Sequence, residues 1–252
     1  MFMRLVQHKV KPTSSAEMAK TYSEKIIPSL QQIPGCMYAC LIRGAAHTDE
    51  AISMTLWETV EHSEAYEKSG AFQRLVSELA PYFADASEWK VQLSKDYTLE
   101  YAPVQQETVV KSYRVTTASS PRPPASEPTT PLYVRILSIK LQPGKVEEFR
   151  KLYTTEILPA LHNVKGCRYA FLTEGVEGGS EVISLTIWDN KDAADLYESS
   201  GLFRKLTKKV QHTFSELYQW KMAAERRSSV QVLTTEDLSV TGYSVVTGKT
   251  FH

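Results

Sequence analysis

The sequence predicts an α+β protein of two ferredoxin-like βαββαβ repeats, each with an extra C-terminal strand, that close one barrel inside a single chain. Three observations predict it. The chain repeats itself at a fixed shift, each copy alternates strand and helix periodicities in the same order, and the strands carry apolar residues on both faces.

The repeat is the strongest of these signals. Gly35-Cys36 falls on Gly166-Cys167, a shift of 131 residues, and the register holds without a gap over most of each copy. Tyr22 then falls on Tyr153, Pro28 on Pro159, Tyr38-Ala39 on Tyr169-Ala170, Ile52-Ser53 on Ile183-Ser184, Thr55 on Thr186 and Trp57 on Trp188. Tyr66-Glu67 falls on Tyr197-Glu198, Phe72 on Phe203 and Trp89-Lys90 on Trp220-Lys221. One residue is then lost, and Tyr113, Val115 and Thr117 match Tyr243, Val245 and Thr247, so each copy ends in an outlying strand. The expected domains are residues 1–117 and 132–252. Between them, residues 118–131 hold five prolines and no large apolar side chain. Such a stretch is an extended spacer, reaching up to about 43 Å, that favours pairing of the copies within the chain.

Within a copy the elements follow in order. Leu5 to Val10, and Val134 to Leu141, read as opening strands. Ser14-Ser15-Ala16-Glu17 has the spacing of a capping box, and Met18, Tyr22, Ile26 and Leu30 recur every four residues on a helix that Gly35 ends. Cys36 to Ile42 is the next strand, turning near Arg43-Gly44, or at Glu177-Gly178-Gly179 in the second copy. In Ala51 to Trp57, Ser53, Thr55 and Trp57 face one way and Ile52, Met54 and Leu56 the other. Thr59 and Asn190 stand where an N-cap belongs before a second helix, which breaks at Ser69-Gly70 and resumes through Phe72. A fourth strand starts near Trp89. Two helices cover one face of such a sheet and leave the other bare, yet both faces are apolar. The bare face must therefore meet the second copy, and the strands around Tyr113 and Tyr243 are placed to cross and protect the opposite sheet's edge.

Composition narrows the function. Lys+Arg and Asp+Glu both total 29, which removes the basic excess that phosphate backbones attract and argues against a nucleic-acid partner. No run of about eighteen apolar residues is long enough to span a membrane, and the chain reads as cytoplasmic. The three cysteines lack a CxxC pair, against both a disulfide scaffold and a zinc site. Cys36 and Cys40 are expected on one strand face about 13 Å apart, too far to bridge.

The segment from Thr55 and Trp57 through Glu58, Thr59, Ala65 and Tyr66 to Ser69, Gly70 and Phe72, with its copy from Thr186 to Phe203, resembles the antibiotic-biosynthesis-monooxygenase family of the dimeric α/β-barrel superfamily. The resemblance covers nearly all of both copies and implies a small-molecule substrate or ligand held between sheet and helices. It also implies an internal pseudo-dimer, with further oligomerisation open. Family members include cofactor-free oxygenases and heme-degrading enzymes. The heme-degrading branch carries a tryptophan where Tyr66 and Tyr197 stand, and an iron-ligating histidine at the positions of Val76 and Thr207, neither of which supplies an imidazole.

No histidine recurs between the copies, so candidate site residues are the duplicated aromatics. Tyr66 and Tyr197 are the expected catalytic phenols, as hydrogen-bond donors or, with a lowered pKa, as proton acceptors. Trp57, Trp188, Tyr22, Tyr153, Tyr38 and Tyr169, with His8 in the first copy alone, are the expected substrate-binding residues. Each tryptophan and tyrosine has a competing role as plain core. No metal site and no cofactor are expected. The leading expectation is cofactor-independent oxidation of a small planar aromatic or quinol; the alternatives are a non-catalytic binder of a hydrophobic metabolite or heme, and a scaffold with side-chain-filled cavities, which the absence of a pocket above about 300 Å³ favours.

Overall fold

The structure, a computed structural model, describes residues 1–44, 49–84, 89–93, 99–103, 109–118, 132–175, 179–216 and 238–251. The spacer beyond Ala118, Trp220 and most of the predicted hairpin turns lie outside the described residues.

Strand β1 (Phe2–Lys9) leads into a helix described in three parts, α1 (Ser15–Thr21), a π-turn (Tyr22–Ile26) and α2 (Ile27–Gln31). Pro28 explains the wide turn: it has no N–H to offer the Glu24 carbonyl, and the helix loosens where that bond would form. The second copy repeats this with Tyr153–Ile157 ahead of Pro159. The predicted capping box does not form. Ser14 closes a 3-10 turn that begins at Pro12, its φ and ψ are −103° and 2°, and its hydroxyl makes no cap bond. That backbone differs from the extended form that would aim the oxygen at the helix amides.

Strands β2 (Cys36–Gly44) and β3 (Glu50–Trp57) follow, then α3 (Val60–Lys68) and α4 (Ala71–Leu79). Thr59 caps α3 as expected, and Gly70 separates the helices with φ +72°. Gly35 is required twice over, since its φ is +76° and a Cβ there would meet the His62 ring at 2.2 Å. A bulge between Cys36 and Tyr38 shifts the pairing of β2 with β3. Cys36 consequently faces the helices and Cys40 the barrel interior, correcting the expectation that they share a face.

The strand predicted at Trp89 forms as β4 (Trp89–Leu93), but it pairs with β5 (Leu99–Pro103) in a separate two-stranded sheet. The fourth place beside β1 belongs instead to β6 (Val109–Ala118), the strand read as trailing.

The second copy supplies β7 (Tyr133–Lys140), α5 (Val146–Leu152), α6 (Leu158–His162), β8 (Cys167–Gly175), β9 (Glu181–Trp188), α7 (Lys191–Ser199), α8 (Leu202–Val210) and β10 (Leu238–Thr250). The barrel is closed and antiparallel in the order β1-β3-β2-β10-β7-β9-β8-β6. Closure uses the outlying strands as the sequence anticipated. β6 pairs with β1 of its own copy and β8 of the other, with Tyr113 opposite Gly175. β10 pairs with β7 and crosses to β2, with Tyr243 opposite Gly44.

Three apolar clusters result. One lies between helices and sheet in each copy, and the third fills the barrel with Met3, Ile42, Met54 and Leu56 from the first copy against Val134, Phe171, Leu185 and Ile187 from the second. Burying each such side chain is worth about 1.5–3 kcal/mol, which a lone copy would forfeit along this face. Among the described residues, no helix is long and apolar enough to cross a membrane.

Candidate functional site

Each copy has a cavity between its helical layer and its sheet, of about 30 Å³ in the first and about 40 Å³ in the second. Volumes of this size hold a few water molecules. β1 contributes Arg4, Val6 and His8 on alternate positions, so their side chains share the face turned toward the helices. Tyr22 enters from the π-turn, Ser53 and Thr55 from β3, Tyr66 from α3 and Phe72 from α4.

The π-turn sets Tyr22 onto the sheet. Its hydroxyl shares a 2.7 Å hydrogen bond with Ser53 Oγ and reaches the Cys40 carbonyl at 3.2 Å. Tyr153 repeats this with Ser184 at 2.9 Å and the Phe171 carbonyl at 3.5 Å. Behind the cavity, the Trp57 indole donates to Thr55 Oγ1 at 2.9 Å and stacks on Tyr66 with centroids 5.0 Å apart. Trp188, Thr186 and Tyr197 match at 2.8 Å and 5.1 Å. Phe72 closes the group edge-on to Tyr66 at 6.0 Å.

A cation sits within these aromatics. The Arg4 guanidinium carbon lies 4.3 Å from the Phe72 centroid and 5.9 Å from that of Tyr66. Nη1 donates to Glu67 Oε2 at 2.9 Å, whereas buried Nε and Nη2 have no hydrogen-bond partner among the described residues. Arg135 pairs with Glu198 at 3.0 Å and lies over Phe203 at 4.9 Å.

Burial governs the titrating groups. It pushes His8, stacked on Phe83 at 4.1 Å, down to about 4, so the imidazole is neutral at pH 7. It pushes the phenols of Tyr22, Tyr66, Tyr153 and Tyr197 well above the usual tyrosine range, and the Cys36 and Cys40 thiols up to about 12. The expected lowering of a site phenol is thus reversed. Tyr66 and Tyr197 keep their protons at neutral pH and can donate, not accept, because an apolar wall disfavours the phenolate more than the nearby Arg4 or Arg135 favours it.

The antibiotic biosynthesis monooxygenase family matches residues 1–78 and 132–209, one match per copy and together more than half of the chain. The chain belongs to this family. Among solved structures it is similar to a candidate monooxygenase from Lactobacillus acidophilus NCFM, at 8% identity and TM-score 0.67, covering 99% of this chain and 95% of that one. A comparable protein of Fusobacterium nucleatum gives 8% and 0.64 with coverages of 99% and 94%, and an anthrone oxidase-like protein gives 13% and 0.54 with 99% and 92%. These likenesses describe the fold. No curated protein sequence matches the chain.

For this member of the family, the structure brings Tyr22, Tyr66 and His8 to one cavity, and Tyr153 and Tyr197 to the other. Trp57 and Trp188 are fully buried behind Tyr66 and Tyr197, against which they stack. Tyr38 and Tyr169 are not in either cavity. The bulge that separates Cys36 from Cys40 turns both tyrosines toward the barrel interior, where they pack on the cluster shared by the two copies. Val76 and Thr207 do line the cavities. Sequence reading missed the arginines, although the signal is present: Arg4 falls on Arg135 at the same shift, a charge repeated inside an otherwise apolar strand.

Proposed function

We propose that the chain is an oxygenase of this family that oxidises a small planar aromatic or quinol-type metabolite without a cofactor of its own, using the cavity of the first copy. The supporting observation is that Arg4, His8 and the Tyr22–Ser53 pair line one apolar cavity. Among its described lining residues, His8 is the titrating side chain that stands unprotonated at neutral pH and so serves as the base, one weakened by burial, and the Arg4 cation compensates by favouring the resulting substrate anion. Tyr66 donates a hydrogen bond and offers its ring as a wall. The substrate anion then reduces oxygen directly, while the protein orients and desolvates it. For anthrone the balance closes as anthrone plus O₂ giving anthraquinone plus water.

At about 30 Å³ the cavity is far smaller than a ring requires, the property of a side-chain-filled scaffold, so a ligand must displace α4. Two observations favour displacement over a permanently filled core. Leu79 is the one buried residue of α4, and the orphaned Arg4 donors carry a desolvation cost of about 1–3 kcal/mol each that plain packing would avoid.

The test is oxygen uptake with anthrone and hydroquinone-type substrates. Turnover should vanish without oxygen, and His8→Gln and Tyr66→Phe should each lower kcat by roughly a hundredfold. Turnover that persists anaerobically, or that falls equally in Tyr197→Phe, defeats the assignment. Binding without reaction is the second reading, favoured by the fully protonated phenols; native mass spectrometry showing the unaltered compound retained after aerobic incubation would establish it instead.

A further inference from the structure

Arg4 is 2% exposed, and its guanidinium uses only one edge. Nη1 reaches Glu67, whose side chain is half exposed, while Nε and Nη2 are buried and unpartnered among the described residues. Those two nitrogens belong to a single edge of the planar group. Their N–H bonds run parallel, at the spacing of the two oxygens of a carboxylate. Before a ligand displaces α4, Phe72 covers a face of the guanidinium at 4.3 Å and leaves the Nε–Nη2 edge as the side open to an anion. Along the same strand face, His8 lies four residues on, roughly 13 Å away at the usual rise per residue.

We propose that this edge of Arg4 is a carboxylate site, and that the ligand of the first copy is an aromatic acid whose carboxylate seats on Nε and Nη2 while its ring points along β1 toward His8. The inference rests on the proposed use of the first cavity but not on any reaction there. A planar two-oxygen anion satisfies both orphaned donors at once, in a site of low dielectric where a neutral amide or ester satisfies them poorly. The second copy lacks the feature. Arg135 lies under Phe203 and holds Glu198 in the same way, but none of its nitrogens is both buried and unpartnered. The acid should therefore bind once per chain, at the first copy.

Titration calorimetry on the full chain, with thermal unfolding alongside, tests this using benzoate, salicylate and gentisate against the matching amides. Acids should bind with one site per chain and the amides at least about tenfold more weakly. Arg4→Gln should weaken the acids by about tenfold or more. Arg4→Lys, which keeps the charge and loses the fork, should weaken them comparably, and Arg135→Gln should leave them unchanged. Equal affinity for acid and amide overturns the proposal, as does a folded Arg4→Gln protein that binds salicylate normally, or an equal loss in Arg135→Gln. Failure of all three acids to bind or stabilise at about 5 mM, where a Kd near 1 mM is readily seen, overturns it too. Should the Arg4 variants not fold, the acid–amide comparison on the unaltered protein decides. Because no turnover is measured, acid binding without oxygen uptake keeps this proposal and sinks the oxygenase reading, and uptake with neutral substrates alone does the reverse.

Discussion

The two copies share a backbone plan down to the π-turn and the left-handed glycine between the last two helices, yet they bury their cavities differently. In the second copy α8 buries Phe203, Leu206, Thr207 and Val210, while α4 of the first buries only Leu79. Ile139, opposite His8 in the repeat, is core. The second copy thus seats its last helix more deeply on the sheet and has an apolar residue where the first has an imidazole, while keeping a cavity of about 40 Å³, and the first retains a neutral imidazole and a cation with unpartnered donors under a looser helix. Duplication inside one chain permits this, because barrel closure requires only the shared interior face from each copy.

Where the copies are alike, substitutions should hurt alike. Trp57→Ala and Trp188→Ala each remove a fully buried indole together with its bond to the threonine two residues earlier, and each should cost about 3–5 kcal/mol in urea unfolding. A loss at one tryptophan less than half that at the other would show that one copy dominates the stability.

The shared plan is also what was legible in sequence. The fixed shift, the Thr59 and Asn190 caps, the glycines with positive φ and the alternation in Ala51 to Trp57 are local or periodic signals, and the structure follows each of them. The misses concern choices made by partners. Whether Trp89–Leu93 or Val109–Ala118 takes the place beside β1 depends on barrel closure, and one bulge after Cys36 inverted the facing of the cysteine and the placing of Tyr38. The phenol pKa direction needed the depth of burial. Arg4 was overlooked because a single charge in a strand looks like an edge residue until its neighbours are known.

Where the copies differ, acid should separate them. Unfolded His8 takes its proton near 6.5 and folded His8 near 4, so the unfolded chain binds more protons between those values. Its contribution to stability is complete above pH 6.5 and is lost as pH falls toward 4, up to about 3 kcal/mol. His8→Leu, matching the apolar second copy, should flatten the urea-midpoint profile over that window. An unchanged slope would place the acid sensitivity elsewhere.

The hydroxyl anchors should rank next. Tyr22→Phe deletes the shorter bonds, 2.7 Å to Ser53 and 3.2 Å to the Cys40 carbonyl, against 2.9 Å and 3.5 Å for Tyr153→Phe. Each change leaves a serine and a carbonyl with one bond fewer, and we expect losses of about 1–2 kcal/mol, larger for Tyr22. The opposite order in denaturant midpoints would mean that the loose α4 side relaxes around the deletion better than the α8 side, where the helix is more deeply buried.

The smallest effect probes the caps of α3 and α7, where identical architecture is built with different residues. Asn190 has an extended backbone and its Oδ1 accepts from the Ala193 amide at 2.9 Å, near the ideal length for such a bond. Thr59 is likewise extended, but its Oγ1 lies 3.4 Å from the His62 amide and as far from the His62 ring, and it also hydrogen-bonds the Glu61 carboxyl, so one hydroxyl is divided among several contacts. Asparagine also outranks threonine at this position. Asn190→Ala should therefore cost about 1 kcal/mol and Thr59→Ala about half of that, whereas Thr59→Asn should stabilise the first copy by a few tenths. Chemical denaturation of the three variants at pH 7, where the His8 contribution is constant, measures this without interference from the acid transition. If Thr59→Ala proved the costlier change, the His62 ring contact would be holding α3 against Gly35, whose missing Cβ leaves just enough room for that ring.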